Sequence, residues 1–110
     1  MPGLPEDFSA FKDEILWELR HEDDQGVYET WWSANSRYPL LPVSERLRVA
    51  ELAVTELLVS GKAVLFRQNA LRPDSRREIE DQLAALVDVT TWVPFSEDQV
   101  WIGATAISPE

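Results

Sequence analysis

Any chemistry in this chain must be built from a narrow set of reactive groups. His21 is the only histidine, so a serine–histidine triad would rest on that one ring, and no serine sits in a GxSxG turn. His21 adjoins Glu22, Asp23 and Asp24 and reads as a solvated side chain in a charged loop rather than a base. The same acidic run offers oxygen ligands to a hard cation, but it lacks the alternation and the distal glutamate of a calcium loop. A solvated loop that helps cap a helix accounts for it better. The absence of cysteine removes disulfides, thiolate metal sites and thiol nucleophiles together. Gly3, Gly26, Gly61 and Gly103 are isolated, so no phosphate-cradling loop is present. Twenty carboxylates permit many spatial pairs, yet no spacing singles out an acid–base pair. The expectation is a protein that is not an enzyme and uses no cofactor and no metal.

Charge and aromatic content point to binding instead. Twenty acidic side chains against ten basic ones leave a formal net charge of −10 on 110 residues. Such a body repels polyanions at long range and attracts a cationic protein surface. Five tryptophans, Trp17, Trp31, Trp32, Trp92 and Trp101, supply apolar area for a core and anchors for an interface. Trp31 and Trp32 are adjacent, and on a helix their directions differ by about 100°. One of the two can be buried while the other meets a partner. The candidate partner-binding residues are Glu18, Glu22, Asp23 and Asp24 near the end of the first helix, with Tyr28 and Trp32 beside them.

The elements that must position these groups follow from periodicity. From about Pro5 to Arg20–His21, Phe8, Phe11, Ile15, Leu16 and Leu19 form one helical stripe. A second helix is predicted from Val27 to about Ser36, with Asp24 as a possible cap and Pro39 as its stop. The third, Ser44 to Ser60, is the unit on which the rest is organised. Leu47, Ala50, Val54, Leu57 and Leu58 share its face, Ser44 stands at the N-cap, and Gly61 suits the left-handed closing position. Ala63–Arg67 reads as a strand. Asn69, Pro73 and Asp74 mark a connection, and a fourth helix is predicted from Arg76 to Val87, capped by Asp74 or Ser75. DVTTWVPF suggests an extended segment kept short by Pro94, and QVWIGATAI a strand that pairs antiparallel with the first. Residues 1–4 are expected to form a loose terminus.

The fold class is therefore α+β and mainly helical, a single domain over residues 1–110. A three-helix core carries a short antiparallel β-hairpin with a helical insertion between its strands. In element order the chain resembles a winged-helix domain. That resemblance implies the alternative function, a DNA-binding transcriptional regulator, for which Arg46, Arg48, Arg72, Arg76 and Arg77 would supply the contacts and Glu45, Glu51 and Glu56 would oppose them. In size and charge the chain is similar to small bacterial immunity and antitoxin-type proteins. That resemblance implies neutralisation of a basic partner, with carboxylates blocking a cationic groove and aromatics as anchors. The acidic start without a signal-peptide pattern, and the lack of an apolar run of about 20 residues, make the cytoplasm the expected location and a membrane partner unexpected.

Overall fold

In the computed structural model, which describes residues 4–69, 72–93 and 98–105, the first three predicted helices are all present. They are α1 (Phe8–His21), α2 (Val27–Arg37) and α3 (Val43–Val59). α3 is the central post, in contact with α1, α2 and the strand that follows it. Its buried face is Val49, Ala50, Ala53, Val54 and Leu57, and the two alanines let neighbouring backbones approach closely. The predicted Leu47 and Leu58 flank that face and are half-buried. α3 ends as its sequence predicts. Gly61 takes φ 74°, its N–H donates to the Leu58 carbonyl, and the Lys62 N–H donates to the Leu57 carbonyl. This is the paired bonding that closes a helix on a left-handed residue. The start differs, because α3 begins one residue before Ser44, and Pro42 occupies the cap position.

The strands are β1 (Gln25–Gly26), β2 (Ala63–Asn69), β3 (Arg72–Glu78) and β4 (Asp98–Ala104). They form one antiparallel sheet in the order β1-β4-β2-β3. The predicted hairpin partners pair from Ala63 opposite Ala104 to Asn69 opposite Asp98. Alternation along β2 and β4 turns Ala63, Leu65, Val100 and Ile102 into the helical core, where they join Phe11, Ile15, Leu19 and the α3 face. Phe66 and Trp101, register partners, belong to the opposite face of the sheet.

Two regions differ from the sequence reading. The fourth helix, predicted over Arg76 to Val87 with an Asp74 or Ser75 cap, is confined to α4 (Gln82–Leu86), and Arg72–Glu78 is a strand. Asp81 is the residue that caps α4, accepting from the Ala84 N–H at 3.0 Å. Pairing with β2 decides the matter: Phe66, Arg67 and Gln68 stand opposite Glu78, Arg77 and Arg76, and a backbone bonded to a neighbouring strand overrides weak helical propensity. The sheet thus has four strands rather than a two-stranded hairpin. The DVTTWVPF segment, read as extended, contains a 3-10 turn over Val89–Trp92. That turn is held because the Thr91 hydroxyl donates to Ala85 O and the Trp92 indole to Leu86 O. Pro94, residues 1–3 of the expected loose terminus and the end of the last predicted strand, Ala106 and Ile107, lie outside the described residues.

Candidate functional site

α1 and α2 both rest on α3, and the channel between them is an open groove of about 500 Å³. Buried Phe11 and Ile15 line it from α1. Glu14 and Glu18, one turn apart on α1, line it too, and α2 contributes Glu29, Trp32, Ser33, Ser36 and Arg37. The 3.6-residue period sets each group on its helix. Positions 14 and 18 share a face, as do 29, 32, 33 and 36. The bonds across the groove, Arg37 to Glu14 and Gln25 to Glu18, run in opposite chain directions, so α1 and α2 are antiparallel along it.

One end of the groove is a closed ionic cluster. Arg37 donates through Nε to Asp7 Oδ2 at 2.9 Å and through Nη1 to Glu14. Its guanidinium lies 5.9 Å from the centre of the Phe11 ring. The Tyr38 hydroxyl donates to the other Asp7 oxygen at 2.8 Å, and the Tyr38 ring meets Phe11 edge-on at 5.6 Å. Burial, followed by the bond to Asp7, pushes the Tyr38 hydroxyl up to about 12. The same bond from Tyr38, and then that from Arg37, holds the Asp7 carboxyl below the usual carboxylate range.

The other end carries the same residue types with neutral donors. Glu18 Oε2 accepts from the Gln25 amide at 3.0 Å. Glu29 Oε2 accepts from the Gly26 N–H at 2.8 Å, so the third residue of α2 reaches back to the backbone of the cap position. Each bond engages one carboxylate oxygen and leaves the charge of the group unpaired by its donor. Trp32 lines the same groove, is 47% exposed and meets the Tyr28 ring edge-to-face at 4.8 Å. Carboxylates beside an exposed indole suit a cation. An indole–cation contact contributes about 0.5–1 kcal/mol at an exposed site and about 2 kcal/mol once water is excluded.

The residues anticipated from sequence divide between this groove and its rim. Glu18 and Trp32 line it, and Tyr28 is buried behind Trp32. Glu22 and Asp23 are exposed and Asp24 is half-buried in the turn that follows α1, where Asp23 Oδ1 accepts from the Asp24 N–H at 2.8 Å. Asp24 does not cap α2; Gly26 holds that position, and the Glu29 side chain does the capping. His21 is exposed and stacks on Trp17 at 4.5 Å, with Nδ1 2.9 Å from the Trp17 carbonyl oxygen. Glu14 and Glu29 are groove residues that the sequence reading missed. The signal available was their spacing: Glu14 lies one turn before Glu18, and Glu29 three residues before Trp32.

The arginines are distributed over other elements. Arg46 and Arg48 belong to α3, where Arg48 partly offsets the effect of burial on Glu51, whose carboxyl is raised above its ordinary value. Arg77 pairs across the sheet with Arg67, and the two line a separate groove with Glu78, Glu80, Asp81 and Asp88. Arg72 and Arg76 sit in β3 opposite Asn69 and Gln68, and their side chains lie outside the described set. Among the described residues no group of three or more histidine, aspartate and glutamate side chains is arranged to hold a metal ion, and no helix is long and apolar enough to cross a membrane. Compared with known protein families, curated proteins and solved structures, the chain matches none.

Proposed function

We propose that this chain is a non-catalytic binding domain that neutralises a basic protein, in the manner of an inhibitor or immunity protein, and that the partner docks in the groove between α1 and α2. One observation carries the proposal: Glu14, Glu18 and Glu29 share a groove with a half-exposed tryptophan in a chain of net charge −10. Acidic groups steer the encounter, and a desolvated aromatic anchor supplies the lasting contact. The encounter is assigned to the cytoplasm as part of the same proposal.

The test is affinity capture from a lysate of the source cell with the wild-type chain and with the double variant Glu18→Gln/Trp32→Ala. The captured protein is then purified and assayed alone and with each chain. The expected result is a basic protein whose activity the wild-type chain abolishes at equimolar ratio. The double variant is expected to bind it about tenfold or more weakly. Equal inhibition by the two chains would reject the groove as the docking site. Tight binding of duplex DNA at physiological salt would favour the regulator reading in its place.

A further inference from the structure

The geometry points to arginine, rather than lysine, as the side chain that the Glu18–Trp32–Glu29 end of the groove selects on its basic partner. The inference rests on the docking proposal above and names the group recognised there. The groove already contains one solution to the problem of holding a guanidinium. At the Arg37 end, the planar group lies over the Phe11 ring, donates through Nε to Asp7 and donates through Nη1 to Glu14. The other end repeats the residue types: an aromatic ring, Trp32, shares the groove lining with two carboxylates, Glu18 and Glu29. There the carboxylates bond to an amide and a backbone N–H, which leave their charge in place, and each keeps a second oxygen as acceptor. Indole is also the strongest cation–π platform among the aromatic side chains, above the phenyl that Arg37 uses.

The choice between the two cations follows from shape. A guanidinium is flat, so it can lie on an aromatic ring while its edge N–H groups bond to carboxylates, as Arg37 does with Phe11, Asp7 and Glu14. An ammonium is a compact, strongly hydrated point charge and cannot satisfy both demands at once. Steering by net charge treats the two alike, and the part of any arginine preference that depends on Trp32 reports the local geometry of this site.

The experiment is calorimetric titration of the full chain at physiological salt with two peptides of equal length and charge, one carrying arginines and the other lysines at the same positions. The wild-type chain is expected to bind the arginine peptide about fivefold tighter. Trp32→Leu should remove that preference and leave weak, salt-sensitive binding of both peptides. Trp17→Leu, at the other exposed indole and outside the groove, should leave the preference intact, and circular dichroism confirms that each variant folds. Equal affinities in the wild type, or a preference that survives Trp32→Leu, would overturn the selection of arginine. Equal affinities that still fall with Glu18→Gln and Glu29→Gln would overturn it while the docking proposal stands. Failure of both peptides to bind, together with partner inhibition indifferent to these variants, would overturn both.

Discussion

The hydroxyl of Tyr38 is raised first by burial and then by its bond to Asp7, and the same bond lowers the Asp7 carboxyl. Tyr38 is raised from 10.0 to about 12 in the folded chain. The fold therefore retains this proton more tightly than the unfolded chain does. Its contribution to stability is complete below pH 10 and disappears as pH climbs through about 12. For Asp7 the sign is reversed: a depressed carboxyl contributes above its unfolded value, and the contribution is lost as acid protonates it. Urea midpoints from pH 8 to 12 should accordingly fall faster for the wild type than for Tyr38→Phe, and the gap between them should narrow above pH 10. A constant gap would mean that the hydroxyl does not couple to folding. This contact was not legible in the sequence, because Asp7 and Tyr38 are 31 positions apart and neither carries a local signal. Tyr38 reads there only as the residue before the stop at Pro39.

At the scale of elements, the junction of β1 and α2 fixes where the groove begins. Gly26 pairs with Trp101 in the sheet, precedes the first turn of α2 and donates to Glu29. A Cβ at this position would stand 2.3 Å from the Gln99 amide nitrogen and 2.4 Å from the Tyr28 ring. The Gln99 side chain could swing aside, but the aromatic ring behind Trp32 has less freedom. Gly26→Ala is therefore expected to destabilise the fold by about 1–3 kcal/mol, seen as a melting temperature lower by roughly 5–15 °C. An unchanged melting temperature would show that Tyr28 and Gln99 repack without cost. α1, α2 and α3 were legible in the sequence because each buries one stripe, and a stripe has a period. β3 was not, because RPDSRRE has no apolar alternation to betray it. An edge strand bonded on one side and filled with charged residues and a proline hides its pairing in β2. β1 is two residues long and has no period at all. The groove was half legible for a related reason: Glu18 and Trp32 were found from their types, whereas Glu14 and Glu29 join them only once α1 and α2 lie antiparallel on α3.

Across the whole molecule, charge and tryptophan placement argue in the same direction. A net charge of −10 sets the sign of any long-range encounter, and the groove between α1 and α2 supplies carboxylates next to apolar area. The tryptophans divide by role. Trp92 is 3% exposed and ties its 3-10 turn to α4, while Trp32 and Trp17 are about half exposed on two different helices. That division makes the indole N–H groups natural reporters of where a partner sits. The most direct measurement is a heteronuclear NMR titration of the full chain, at physiological salt, with a basic peptide that carries both arginine and lysine. Saturable shifts of the Trp32 indole and of the Glu14, Glu18 and Glu29 amides are expected, with the Trp92 indole unmoved. Shifts gathered instead on the arginines of α3 and β3, or small changes spread evenly with no saturation, would contradict docking in the groove.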